Sequence, residues 1–136
     1  MRFKFSANST QNYVHLTLKL QKIAKRVLNY GIMDFAITDS YRSKARQDRA
    51  FKLKKSKVCW PMSKHNCLPS RAMDLVPFIN GRLSWNKIHC SLLAGMVLAT
   101  GREMGVVLRW GGNWDMDSEP VTDQDFQDLA HFEEAD

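Results

Sequence analysis

A lone carboxylate interrupts the stretch AMDLVPF, Ala72 to Phe78, whose other members are all apolar. An ionised side chain in such a setting is costly unless a cation or hydrogen-bond donors compensate it. Whatever fold the chain takes must therefore bring such a partner to Asp74. The same stretch runs into Asn80-Gly81 and then RLSW. That pair suits the two-residue turn of a hairpin, so a strand, a tight turn and a short return are expected.

Periodicity supplies the elements around this strand. Leu16, Leu20, Ile23, Ala24, Val27 and Leu28 recur at helical spacing, with Lys19, Lys22, Lys25 and Arg26 between them. They predict one amphipathic helix over roughly residues 12–29, capped by Ser9 or Thr10 and stopped at Gly31. DFAITDSYR predicts a short strand with Phe35 and Ile37 on one side and Arg42 just past its end. Residues 43–54 read as a basic helix, and residues 55–71, with two prolines, as a loop. Ser84 is the expected cap of a second long helix, about residues 86–104, with Ile88, Leu92, Met96 and Ala99 at helical spacing and Gly105 as its stop. VVLRW and LAHFEE predict two further strands on either side of an acidic loop, GGNWDMDSEPVTDQ. Helices and hairpin-like strands in this order define an α+β domain with a small, mainly antiparallel sheet packed with helices.

The 136 residues, 44% of them hydrophobic, suffice for one core and are too few for two ordinary ones, so residues 1–136 are expected to form a single domain. No window approaches the roughly 18 apolar residues of a membrane span, and MRFKFSANST lacks the apolar segment of a secretory signal. Synthesis in a cytoplasm without membrane insertion is the expectation. Cys59, Cys67 and Cys90 are odd in number and show no CxxC pairing, which argues for reduced thiols rather than a disulfide framework or an all-thiolate zinc site. Charge is strongly polarised: all 20 basic residues but only five of the 14 acids fall in residues 1–110, while residues 111–136 hold nine acids. The densest basic run, Tyr41 to Lys57, could track nucleic acid, an anionic polymer of a bacterial envelope, or simply water.

A metal ion is one group that would compensate Asp74. Zinc accepts histidine nitrogen and carboxylate oxygen, and a catalytic site needs three protein ligands with a further position open. His65, in the loop leading into the strand, and Asp74 could supply two. Candidates for a third are His15, His89 and His131, of which His131 stands out because it lies on a predicted strand with Asp128 three residues before it. Residues three apart on a regular strand point to opposite faces, so these two share a site only if Asp128 belongs to the turn entering the strand. Asp128 would then stand beside the metal without ligating it, placed to take a proton from water and pass it to a leaving amine. Glu133, two residues beyond His131, is the second candidate for that base, or a partner that orients His131.

Taken as an ordered set, DSYRS after a strand, SKHN followed by AMDLVPF, then WGGNW and DLAHFE resemble the zinc peptidases that cut bacterial peptidoglycan peptides. That family includes D-Ala-D-Ala carboxypeptidases and the L-alanyl-D-glutamate endopeptidases that bacteriophages use as endolysins. The resemblance runs from about Phe3 to Glu133 and implies a Hedgehog/DD-peptidase-like fold. It further implies His65, Asp74 and His131 as zinc ligands, Asp128 as the catalytic carboxylate, Arg42 as the arginine facing substrate and its oxyanion, and Ser63 as a residue that helps hold substrate. Two departures stand out: the gap between His65 and Asp74 is longer than usual, and Ala130 stands where related sequences commonly carry proline. A loop insertion is cheap, because closure entropy rises slowly with length.

The leading expectation is therefore a zinc metallopeptidase, a phage endolysin that cuts the L-Ala-D-Glu bond of the stem peptide as a monomer, reaching the cell wall once the membrane has been permeabilised. A D-Ala-D-Ala carboxypeptidase is the alternative within the same chemistry. A small basic nucleic-acid-binding protein and a catalytically silent zinc-bound binding module are the alternatives outside it. Trp110 and Trp114 could wall the cleft or pack the core, and Cys67 could compete for the metal. Asp115, Asp117 and Glu119 alternate as oxygen ligands of Ca²⁺ often do, yet the loop lacks the glycine and closing glutamate of an EF-hand, which leaves only a looser calcium site near Asp128.

Overall fold

A computed structural model of the chain describes residues 2–119 and 127–135. Four helices and five strands follow in the order α1 (Ala7–Val14), α2 (Leu18–Asn29), β1 (Phe35–Asp39), α3 (Lys44–Lys52), β2 (Ala72–Ile79), β3 (Arg82–Leu83), α4 (Lys87–Glu103), β4 (Leu108–Gly111) and β5 (Asp128–Glu134). One 3₁₀ turn, Lys64–Asn66, punctuates the long segment before β2. The sheet runs β1-β2-β5-β4 with every pairing antiparallel, and β3 folds back on the end of β2. The α+β class expected from the element order is the class observed.

Strand alternation divides the sheet into two chemically different faces. Ile37, Met73, Leu75, Trp110 and Phe132 point into the core, where they meet Leu20, Ile23 and Val27 of α2 and Leu93 and Val97 of α4. Asp74, His131 and Glu133 are the alternating neighbours of those residues and point away from the helices. The apolar face holds the fold together, while the opposite face, covered by the segment between α3 and β2, is left for polar chemistry.

Three local expectations are corrected. The first helix is two helices, with the chain broken at His15 to Thr17. Thr17 caps α2 by accepting the Leu20 amide, while Leu16 is buried and bridges to Ser70, whose backbone bonds both His15 and Thr17. The break thus ties the helical layer to the segment entering β2, and the actual cap of α1 is Ser6. On α4 the cap is Asn86, not Ser84; Ser84 Oγ instead accepts the Asn86 amide and contacts His89 Nδ1. The buried face of α4 is Cys90, Leu93, Ala94, Val97, Thr100 and Gly101, whereas Ile88, Leu92 and Ala99 are exposed and Met96 is half-buried. α4 is apolar nearly all round, so spacing alone allowed two faces. Gly101 selects one, because a Cβ there would lie 2.8 Å from the Val106 carbonyl. The Asn80-Gly81 turn is as expected, both residues having positive φ (51° and 80°).

Candidate metal centre and cleft

Backbone pairing places two side chains of the site directly. Asp74 on β2 is the register partner of His131 on β5, on the face away from the helices. His65 arrives from the 3₁₀ turn, whose capping box is closed by Ser63 and Asn66: Ser63 Oγ accepts the His65 amide at 3.1 Å, and Asn66 Oδ1 accepts the Ser63 amide at 3.1 Å. The His65 carbonyl accepts the Arg42 amide at 2.7 Å, so the turn is also stitched to the end of β1.

The three side chains converge on one point. His65 Nε2 lies 3.1 Å from Asp74 Oδ1 and 3.2 Å from His131 Nδ1, and His131 Nδ1 lies 3.4 Å from Asp74 Oδ1. Corners of a tetrahedron whose centre is about 2.0–2.1 Å away, the usual zinc–nitrogen distance, are themselves about 3.3–3.4 Å apart. The donor triangle therefore has the dimensions of one face of a zinc site. Each imidazole is also held in the tautomer that ligation needs: His65 Nδ1 donates to the Ser40 carbonyl at 2.6 Å, and His131 Nε2 donates to Glu133 Oε1 at 2.8 Å. Among the described residues this is the one His/Cys/Asp/Glu group whose donor atoms meet in this way.

Electrostatics agree with the geometry. Burial pushes the Asp74 carboxyl up, but the charges of and hydrogen bonds from His65 and His131 outweigh it and hold Asp74 well below the usual carboxylate range. Burial works against charge on His131 as well, yet its hydrogen bonds to Asp74 and Glu133 raise it to about 9. Glu133 is brought down to about 2, against its own desolvation, by His131 and by Arg109, whose NH2 donates to its Oε2 at 2.7 Å. Lys64 Nζ stands 3.5 Å from the same oxygen.

A cleft of about 380 Å³ opens onto this centre, lined by His65, His131, Asp128, Arg42, Ser63 and Trp114 among others. The expectation that Asp128 belongs to a turn is corrected, since it is the first residue of β5. The parity argument is met by another route. Trp110 and Gly111 are consecutive on β4, but their partners are Phe132 and Asp128, four apart on β5, so the ladder is interrupted and alternation is lost between them. Burial and the neighbouring charge of Asp74 push the Asp128 carboxyl up, against the opposing pull of His131, His65 and the Ala130 amide.

Arg42 stands beside the site with its guanidinium held by Asp39 and Gln47. Its Nε and NH2 donate to Asp39 Oδ2 at 3.1 and 2.8 Å, its NH1 donates to Gln47 Oε1 at 3.0 Å, and NH2 lies 4.0 Å from Asp74 Oδ2. The two tryptophans separate: Trp110 is in the core with Nε1 donating to the Leu129 carbonyl, whereas Trp114 lies against the His131 ring at 5.3 Å between centroids. His15 is exposed on Gln11, His89 is held by Ser84, and the exposed Cys67 is outside the donor triangle. Asp115, Asp117 and Glu119 are exposed; Asp115 and Asp117 accept the amides of Asp117 and Glu119, and the rest of their loop, residues 120–126, lies outside the described residues.

The basic run of residues 41–57 is not one uniform cationic face. Arg42 and Arg46 both pair with Asp39, Lys44 pairs with Asp48, and Lys55 and Lys57 border the cleft. Sequence reasoning missed Asp39 and Gln47. An acid three residues before Arg42 was a usable signal for the first; a neutral amide within a basic helix gave none for the second.

A histidine–aspartate–histidine group with the spacing to hold a metal ion lies on an antiparallel sheet beside a charged cleft, and the family profile of the phage L-alanyl-D-glutamate peptidases matches residues 1–134: the chain belongs to that family of peptidases. Among its relatives is the L-alanyl-D-glutamate peptidase of Escherichia phage T5, 31% identical over 116 residues, which are 85% of this chain and 84% of that protein. The crystal structure of the Serratia marcescens L-Ala D-Glu endopeptidase ChiX superposes with a TM-score of 0.77 at 26% identity, covering 98% of this chain and 91% of that one.

Proposed function

We propose that the chain is a zinc-dependent L-alanyl-D-glutamate endopeptidase that hydrolyses the stem peptide of bacterial peptidoglycan during phage-driven lysis. One observation carries this reading: the donor atoms of His65, Asp74 and His131 lie 3.1–3.4 Å from one another at the floor of a cleft that also contains Asp128 and Arg42. Family membership supplies the bond, because the relatives are named for the L-Ala-D-Glu linkage.

In this reading His65, Asp74 and His131 hold the ion, which supplies Lewis acidity that polarises a carbonyl and acidifies a water. Asp128 takes the proton of the attacking water and returns it to the amine of the departing glutamate. Arg42, fixed by Asp39 and Gln47, faces the negative charge that develops on the scissile carbonyl oxygen. Ser63 lines the cleft at the head of the turn that carries His65 and holds substrate there while its Oγ caps the turn. Glu133 orients His131 and is not the base, since both of its oxygens are engaged, by His131 and by Arg109.

No helix among the described residues is long and apolar enough to cross a membrane. In the same reading the enzyme is a monomer made in the host cytoplasm that meets the wall once the membrane has been permeabilised. Metal analysis of the purified chain and of its His65→Ala and His131→Ala variants tests the centre, with about one zinc per wild-type chain expected and loss in both variants. Mass spectrometry of digested peptidoglycan tests the bond: new amino-terminal D-Glu is expected, and free D-Ala without it would point to the carboxypeptidase instead.

A further inference from the structure

The cleft has one wall that this mechanism does not use. Lys55, Ser56, Lys57 and Val58 form its rim on the side of α3, and Arg109 faces the same space. Arg42 is engaged by Asp39, Lys64 by Glu133 and the Glu134 carbonyl, and Lys57 has a partner of its own. Arg109 gives NH2 to Glu133, and its buried Nε has no hydrogen-bond partner among the described residues. Lys55 pairs with no acid among the described residues and borders both this cleft and the neighbouring groove that contains Asp128.

This rim is a built feature. Beneath it lies Gln47, fully buried at 0% exposure. Its Nε2 donates to Ser56 Oγ at 3.0 Å and to the Val58 carbonyl at 2.7 Å, and its Oε1 accepts from Arg42 NH1 and from Asn66 Nδ2 at 3.3 Å. All four hydrogen-bonding positions of that amide are therefore filled. One buried side chain fixes the lysine-bearing rim relative to both Arg42 and the turn that carries His65.

Resting on the peptidase reading above, we infer that Lys55, on this fixed rim, is a specificity residue that recognises a free carboxylate of the stem peptide beside the scissile bond. The chemistry fits the substrate. A glutamate joined onward through its side chain keeps its α-carboxylate on the same carbon as the scissile nitrogen, and the following diamino acid carries a carboxylate of its own. Charge-assisted contacts from lysine select such a group over its amide, and the fixed rim holds them at one distance from the centre.

The test compares three synthetic stem peptides, one unmodified, one amidated at the glutamate α-carboxylate and one amidated at the diamino acid, cut by the zinc-loaded enzyme. Wild type is expected to favour the unmodified peptide by about tenfold in kcat/KM over one of the amides, and which amide suffers identifies the carboxylate read. In K55M that ratio falls towards one through loss on the unmodified peptide, carried by KM. K55R retains the ratio, and K22A/K25A on the far helix does not alter it. Thermal melts and zinc content show that each variant is folded. A K55M enzyme with the wild-type ratio, or one that loses equally on all three peptides, overturns this inference alone. Failure of wild type to cut any of them between alanine and glutamate overturns the peptidase reading together with it.

Discussion

Asp74 and His131 are register partners on adjacent antiparallel strands, so the backbone pairing of β2 with β5 itself sets two of the three donors side by side. The third, His65, is brought in by a turn that owes its shape to Ser63 and Asn66. The centre is thus fixed mainly by main-chain geometry, and its fine orientation rests on the residues that hold the far nitrogens.

Glu133 is the most exposed to test among those. Replacing it by glutamine removes the charge that holds the His131 Nε2 proton and leaves Arg109 and Lys64 without their carboxylate. Zinc affinity is expected to fall by about 10–100-fold, read by competition with a chromophoric chelator, while the fold persists.

Asp128→Asn should separate binding from catalysis. The variant keeps its full complement of zinc but loses about 10²–10⁴-fold in kcat. Burial and Asp74 hold the Asp128 carboxyl above its ordinary value in the metal-free protein; the acidic limb of the wild-type pH–rate profile is expected to report this group, and the Asp128→Asn enzyme should lack it.

Gly111→Ala probes the interrupted ladder. A Cβ at Gly111 would lie 2.0 Å from the Asp128 carbonyl oxygen, so the start of β5 must move. The expected stability cost is about 1–3 kcal/mol, seen in urea unfolding, with an activity loss far larger than the lost stability explains and with zinc retained by the undisturbed Asp74–His131 pair.

Metal uptake should release protons. His131 in the metal-free protein titrates at about 9, above its ordinary 6.5, yet it must be neutral to ligate. A raised value means that the stability gained from this proton is complete below about pH 6.5 and is lost as pH rises through about 9. Zinc competes with that proton, so affinity should climb with pH over the same window. Calorimetry near pH 7.5 in two buffers of different ionisation enthalpy should give different apparent binding heats; equal heats would contradict the assignment.

Gln47→Leu should destabilise the chain by about 2–4 kcal/mol, because the leucine leaves Asn66, Ser56 and the Val58 carbonyl short of partners in a buried setting. The midpoint of urea unfolding checks it. Gln47→Glu, which keeps the acceptor and adds a counter-charge to Arg42, should lose less.

Much of this is legible in the sequence, and the misses have definable causes. Asp74 is conspicuous because it breaks an apolar run, and Asn80-Gly81 announces the hairpin after it. The face of α4 is ambiguous because Ile88 and Leu92 have the same spacing as Leu93 and Val97, and only the close approach of Val106 at Gly101 decides between them. The split of the first helix depends on Leu16 bonding a segment that lies far along the chain, near Ser70. Asp128 is misplaced by sequence reasoning because regular alternation is assumed where the β4–β5 ladder is interrupted. Gln47 is invisible since its importance comes from four partners on three separate segments.

The strand that contributes His131, Asp128 and Glu133 is inserted between β2 and β4, although it follows both in the chain. Until that inner strand pairs on both sides, the sheet has a gap and the donor triangle lacks one of its three corners. Assembly of the cluster is thus coupled to closure of the sheet: the final pairing that completes the fold is the same one that sets the two imidazoles and the carboxylate together.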